Sequence, residues 1–380
     1  MSLIQYLTQI HLALGASGRL AEESARLGMH RPLIVSDPGV RAAGVLDQAL
    51  QSFGRHALPV FDRTPSNPTE AAVREAVALC QAEGCDGLIA VGGGSAMDLA
   101  KGVAIAATHE GPLKRYATIE GGSELISAKV LPLIAVPTTA GTGSEVARGA
   151  IVIVDDGRKL GFHNWLLLPR LALCDPALTL GLPPLLTAAT GMDAIAHCME
   201  TFMSAAFNPP ADGIALEGLR RGWAHIERAT RDGRDAEARL QMMSASMQGA
   251  MAFQKGLGCV HSLSHSLGGL NPRLHHGTLN AVFLPAVIRF NAAHDSLQQD
   301  SKLARMAQAM GLATGDAEVI AEAVQAMSQR LGLPSGLATI GVDDTLFERI
   351  IDGAMKDHCH KTNPRLASRE DYRALLVASL

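Results

Sequence analysis

Between residues 32 and 139, apolar residues come in short continuous runs, PLIV, ALPVF, GLIAV and LPLIAV. The stretches between them repeat their apolar positions at helical spacing. Continuous runs suit strands covered on both faces of a parallel sheet, and their alternation with helical segments is a βαβ rhythm. The pattern predicts strands at 32–37, 57–62, in CDGLIAVGGGS and at 131–139, with a helix to about residue 53 and another from about 68. In ARGAIVIVDDGRKLGF (147–162) the DDG between two apolar runs reads as a hairpin turn. Beyond LCDPALTLGLPPLLT the β-branched runs give way to Ala, Met and Leu at helical spacing, as in TAATGMDAIAHCMETFM and ARLQMMSASMQGAMAFQKG. Pro183 and Pro184 mark the change. The expected organisation is an α/β domain over 1–183 and an all-helical domain over 184–380, with the active site in the cleft between them.

A chain of 380 residues exceeds the size of most single cores, which agrees with two domains. Hydrophobic residues at 47% and charged residues at 18% describe a compact chain without long disordered tails. A net charge of -4 without basic clusters, and aromatics at only 4%, exclude a nucleic-acid footprint. Six cysteines lack CxxC spacing and mostly sit in apolar stretches, so a reduced, cytoplasmic compartment is expected. The start MSLIQYLTQIHLALG lacks the basic region and cleavage site of a signal peptide, and no stretch has the length of a membrane span.

Candidate chemistry begins with Gly92, Gly93, Gly94 and Ser95, which follow the strand GLIAV and precede a helical pattern. Glycines let the backbone approach a pyrophosphate, and the N–H groups opening a helix favour its charge. Ser95 is suited to cap that helix and to contact phosphate. The loop does not match GxGxxG, so by itself it indicates phosphate binding rather than a particular cofactor. Asp37, at the end of the first strand, can accept hydrogen bonds from an adenosine ribose and would repel a 2′-phosphate, which favours NAD; a plain turn before Pro38-Gly39 is the alternative. The Gly-rich segment after LPLIAV carries hydroxyls at Thr138, Thr139, Thr142 and Ser144.

Asp193 and His197 lie four residues apart in a helical pattern, as do His261 and His265, so each pair projects from one helix face. A single histidine on an apolar helix is usually packing. A carboxylate with several imidazoles is harder to bury without a common partner. His275 and His276 in LHHGTLNA offer a further ligand. One carboxylate and three imidazoles suit Fe²⁺ or Zn²⁺, with a position left for a substrate oxygen.

The chain resembles the iron-containing, or group III, alcohol dehydrogenases along its whole length, through GGGSAMDLAK (92–101), PTTAGTGSEV (137–146), GMDAIAHCMET (191–201), GCVHSLSHSLGG (258–269) and HHGTLNA (275–281). The resemblance implies a dehydroquinate-synthase-like fold and metal ligands at Asp193, His197, His261 and His276. His276 is preferred to His275 because Gly277, Asn280 and Ala281 keep their register to it. It also implies an NAD site lined by Asp37, Asn67, Gly93, Gly94, Ser95, Asp98, Thr138, Thr139 and Lys159, and a homodimer. His265, one turn beyond His261, is the candidate for relaying the alcohol proton, with support of the metal ligands as its alternative role. A closer resemblance, in YLTQIHL, TPSNPTEA, ATHEGPL, HCMETF and DHCHKTNPR, is to bacterial members that interconvert 4-hydroxybutyrate and succinate semialdehyde. An acidic substrate needs a cationic anchor, for which Arg148, Lys255, His360 and Lys361 are the candidates. A maleylacetate-reductase-like enzyme, or a general short-chain alcohol dehydrogenase of the same family, is the competing expectation. A dehydroquinate-synthase-like lyase would need a basic cluster for a substrate phosphate, which the sequence lacks, and the ligand-type residues argue against a non-catalytic dinucleotide-binding module.

Overall fold

The structure, a computed structural model, describes residues 4–6 and 8–380. Residues 1–3, in the stretch MSLIQYLTQIHLALG, and Leu7, also in YLTQIHL, lie outside the described residues. The chain forms two compact units. One comprises Tyr6–Thr139 and Gly143–Gly181, and the other Leu182–Leu380 with Ala140–Thr142, Ile4 and Gln5.

Among the described residues, the first unit is built on eight strands: β1 (Gln9–Leu12), β2 (Pro32–Val35), β3 (Val60–Phe61), β4 (Gly87–Gly92), β5 (Leu133–Pro137), β6 (Gly149–Ile153), β7 (Lys159–His163) and β8 (Leu171–Cys174). Six form a parallel sheet in the order β1-β8-β5-β4-β2-β3. The register sets Leu33 against Leu88 and Ala90 against Ala135. Every residue of β2, β4, β5 and β8 is buried, which is why these runs are continuously apolar. The helices are α1 (Leu20–Arg26), α2 (Pro38–Ala42), α3 (Val45–Leu50), α4 (Glu70–Ala82) and α5 (Gly94–Ala106). The sheet's two faces carry separate apolar clusters, one around Val73, Val103 and Phe162 and the other around Leu20, Leu46 and Leu178. β6 and β7 form an antiparallel hairpin, as the DDG turn predicts.

Strand order reverses direction beside β2 and β4. Their carboxyl ends, Ser36-Asp37 and Gly92-Gly93, therefore open beside one another, with Thr138 and Thr139 following the neighbouring β5. In open parallel sheets this is where nucleotides bind.

The second unit is helical: α6 (Pro184–Met203), α7 (Pro209–Arg231), α8 (Ala236–Ala252), α9 (Cys259–Leu270), α10 (His276–Asn291), α11 (Asp295–Gln299), α12 (Lys302–Met310), α13 (Ala317–Arg330), α14 (Phe347–Lys356) and α15 (Arg369–Ala378). Pro184 opens α6, a position where a missing N–H costs nothing. From Thr187 onward α6 is almost wholly buried, packed by α7, α8 and α10, so it is the axis of this unit and a rigid support for side chains directed from it. Among the described residues, no helix is long and apolar enough to cross a membrane.

Candidate metal and dinucleotide sites

At the carboxyl edge of the sheet, Asp37 caps α2, its Oδ1 accepting from Val40 N at 2.9 Å. A Cβ on Gly92 would meet Asp37 Oδ2 at 3.3 Å and Ala96 Cβ at 2.6 Å, and one on Gly93 would meet Thr139 Oγ1 at 3.2 Å. Small residues are thus required where the backbone turns into α5, and Asp37, Gly93, Gly94 and Thr139 come together there. Thr138 is buried, its N–H donating to the Gly92 carbonyl. Ser95 is not the helix cap. Gly93 holds that position, and the Ser95 hydroxyl, one residue inside the helix, donates to the Ser66 carbonyl at 2.6 Å, tying the loop after β3 to the start of α5. In that loop, Asn67 Oδ1 accepts from Lys159 Nζ at 3.0 Å.

Asp98 and Ser144 are hydrogen-bonded to protein groups. The Ser144 hydroxyl donates to Asp98 Oδ1 at 2.7 Å, and Ile151 N donates to Asp98 Oδ2 at 3.0 Å. Lys101 Nζ, fully buried, donates to Ser144 O and Oγ and to the carbonyls of Ala147 and Gly149. This network joins α5 to the segment entering β6 and holds the glycine turn from behind. Thr142 falls in the short segment that belongs to the helical unit. Burial pushes the neighbouring Glu145 up to about 7, opposed in part by Lys101.

Glu145 therefore makes stability depend on pH. Its folded value lies above the 4.5 of an unfolded glutamate, so the stability it contributes is complete below about 4.5 and is lost as pH rises through about 7. Glu145→Gln is expected to unfold at a progressively higher urea midpoint than the parent between pH 5 and pH 8, the gap approaching about 3 kcal/mol. A midpoint difference independent of pH would contradict this.

In the helical unit, Asp193 and His197 project from one face of α6, with Asp193 Oδ1 3.4 Å from His197 Nε2. His261 on α9 and His276 at the start of α10 each bring Nε2 to 3.7 Å from the same oxygen. Asp193, His197 and His261 are buried and place donor atoms within 4.8 Å of one another. His276 joins them through Asp193 and through Asn280, one turn further along α10. Asn280 Nδ2 donates to Asp193 Oδ1 at 2.7 Å and lies 3.2 Å from Nε2 of both His261 and His276, with its own Oδ1 buried and unpartnered. His275 is the exposed residue capping α10.

This arrangement fits a metal ion. Bonds of about 2.0–2.2 Å in a tetrahedral site put neighbouring ligand atoms about 3.4 Å apart, close to the separations around Asp193 Oδ1. The charges agree. Burial works against an ionised Asp193, but His197, His276 and His261 hold it well below the usual carboxylate range. Burial also opposes charge on His261, yet Asp193 and Glu200 carry it up to about 9, while burial and His261 leave His197 pushed down to about 3. Without an ion, a proton on His261 compensates the buried carboxylates, and a divalent cation would take over that role.

Sequence reasoning missed two supporting carboxylates. Glu200, seven residues after Asp193 on α6, brings Oε2 to 2.5 Å from His261 Nδ1 and accepts from Val260 N with Oε1 at 2.8 Å. It turns His261 Nε2 toward Asp193. Its helical register on GMDAIAHCMET was the available signal. Asp357 lies 92 positions from His265 and accepts at 3.0 Å from His265 Nδ1, beside His358 and Cys359. No spacing rule could have paired those residues.

The N-terminal family model for iron-containing alcohol dehydrogenases matches residues 8–176, and the model for the C-terminal part of the Fe-containing alcohol dehydrogenase family matches 187–380. The chain belongs to the iron-containing alcohol dehydrogenase family. It is 64% identical to a 4-hydroxybutyrate dehydrogenase of Cupriavidus necator over the full length of both proteins. It is 37% identical to a 1,3-propanediol dehydrogenase of Klebsiella pneumoniae, covering 94% of this chain and 93% of that one. The crystal structure of a 1,3-propanediol oxidoreductase superposes with a TM-score of 0.91 at 35% identity over all of both chains. Membership makes the chain an alcohol oxidoreductase and implies a nicotinamide dinucleotide and a divalent metal.

Proposed function

We propose that the chain catalyses NAD-linked interconversion of 4-hydroxybutyrate and succinate semialdehyde, with Fe²⁺ held by Asp193, His197, His261 and His276, as a cytoplasmic homodimer. The observation that carries the chemistry is the convergence of three imidazole Nε2 atoms on Asp193 Oδ1. The choice of substrate is supported by the 64% identity to the Cupriavidus enzyme. Zn²⁺ suits the same nitrogen and oxygen donors, so metal content is part of the test.

When bound, the ion would supply Lewis acidity toward the alcohol oxygen, lowering the pKa of the hydroxyl on the carbon that loses hydride to the nicotinamide. His265 moves the alcohol proton. Its Nδ1–H is held by Asp357 Oδ2, which leaves Nε2 to exchange that proton. Glu200 fixes His261. At the sheet edge, Asp37, Asn67, Gly93, Gly94, Ser95, Thr138, Thr139 and Lys159 receive NAD, Asp98 and Ser144 support the turn from behind, and Thr142 lies on the adjoining segment.

Two of the cationic anchors read from sequence are occupied. Lys255 is buried and paired with Asp212, and His360 is buried against the Tyr372 hydroxyl at 2.9 Å. Arg148 is stacked on Trp165 at 4.6 Å, and Lys361 is exposed. These placements favour a second reading, a short-chain alcohol dehydrogenase without a carboxylate anchor. Iron-loaded protein assayed with NADH is expected to reduce succinate semialdehyde with a kcat/KM at least about tenfold above butyraldehyde, since a charge-assisted contact contributes about 1.5–3 kcal/mol. Equal values would select the second reading.

A further inference from the structure

A second set of ligand-type side chains converges outside the Asp193 cluster. His265 Nδ1 lies 3.0 Å and His358 Nδ1 3.7 Å from Asp357 Oδ2, and Cys359 Sγ lies 3.4 Å from His358 Nε2. One donor atom from each of these four residues falls within 4.8 Å of the others. We propose that His265, Asp357, His358 and Cys359 bind a second divalent ion of the zinc class, separate from the ion held around Asp193.

The donor chemistry sets the class. A thiolate, two imidazoles and a carboxylate form a borderline-soft set that suits zinc and disfavours magnesium or calcium. Zinc bonds of about 2.0–2.3 Å put ligand atoms about 3.3–3.7 Å apart in a tetrahedron; with one donor atom per residue the four already lie within 4.8 Å of one another, so binding needs them to draw in by about 1 Å at most. Backbone geometry aims the set. Asp357 Oδ1 accepts from Cys359 N at 2.8 Å, capping the 3-10 turn His358–Thr362 and leaving Oδ2 directed at His265. Three consecutive residues are thereby turned toward one point, with α9 supplying the fourth. Cys359 is buried, whereas the His358 side chain keeps 45% of its exposure, so an ion has a route in from the His358 side. On binding, the Cys359 S–H proton passes to solvent as sulfur bonds the metal. Thiolate and carboxylate together then neutralise the ion's charge.

His265 adjoins the first site, its ring stacked on His276 with centroids 5.2 Å apart. An ion on His265 Nδ1 takes the nitrogen that Asp357 otherwise holds. If His265 handles the alcohol proton as proposed above, occupancy of the second site inhibits the enzyme.

The test is metal stoichiometry on the iron-loaded full chain, by equilibrium dialysis against Zn²⁺ with elemental analysis. The iron-loaded protein is expected to keep its iron and take up one further zinc per chain, and Co²⁺ in that position should show a sulfur-to-metal charge-transfer band. Cys359→Ser should lose the band and the extra ion, and His358→Ala, at an exposed ring, should lose the extra ion even if the cysteine variant fails to fold. Asp193→Asn, which impairs only the first site, should still bind this zinc. No ion beyond the iron, zinc that merely replaces iron, or an extra zinc retained by His358→Ala would each overturn the proposal.

Discussion

Asp193→Asn is expected to lower kcat/KM by at least about 10³-fold and to leave the purified protein with little bound iron. The substitution keeps the size of the side chain and removes its charge. Asp193 Oδ1 is the atom on which His197, His261, His276 and Asn280 all converge. An amide there cannot balance a divalent ion, and an amide nitrogen turned inward would oppose the Asn280 donor directly. Lewis acidity toward an alcohol is worth several kcal/mol, and each 1.36 kcal/mol is a factor of ten in rate. Glu200→Gln separates ligand from support: it leaves the four donors intact but weakens the hold on His261 Nδ1, so a loss of about 10–100-fold in metal affinity is expected. Elemental analysis of both proteins, with circular dichroism as a check on folding, reads the difference. If Asp193→Asn kept a full complement of iron, the assignment of this cluster would be wrong.

The two halves of the chain were legible to different degrees, for physical reasons. Buried parallel strands leave a strong mark, because both faces must be apolar, and β2, β4 and β5 were readable from PLIV, GLIAV and LIAV alone. β1 and β8 are four residues each and passed unread, since β1 is only partly buried and β8 lies in a run that also contains Arg170 and Asp175. Helical spacing brought Asp193 to His197, because an i,i+4 pair needs no tertiary information. The partners that complete the sites do need it: Glu200 to His261 and Asp357 to His265 are joined only by how α6, α9 and the chain after α14 pack. The same limit explains Asp98 and Ser144. A polar residue on a helix that follows a glycine turn can face either ligand or protein, and Lys101, three residues on, decides for protein.

Gly277→Ala is expected to cost about 3 kcal/mol or more of stability and to reduce metal affinity with it, although it adds a single methyl group. A Cβ at Gly277 would lie 2.1 Å from the Ala189 carbonyl oxygen, 2.8 Å from its carbon and 3.2 Å from Asp193 Cβ. The first two are main-chain atoms of α6 in the middle of a buried helix, and no side-chain rotation relieves them. The two helices would have to separate by about 1 Å, and overpacking of this kind typically costs 1–3 kcal/mol, more where backbone must move. Asp193 lies on α6, while His276 and Asn280 lie on α10, so that separation draws two of the converging groups away from Asp193 Oδ1. Close helix approach and metal geometry are thus one constraint, and it is the physical reason for glycine immediately after His276. Gly213→Ala supplies the contrast: on α7, with nothing within 4 Å of its added Cβ, it should be neutral or raise stability by up to about 1 kcal/mol through helix propensity. Urea midpoints and bound iron measured on both variants check the argument. A Gly277→Ala protein with unchanged midpoint and full metal would show that α6 and α10 do not pack as closely as described.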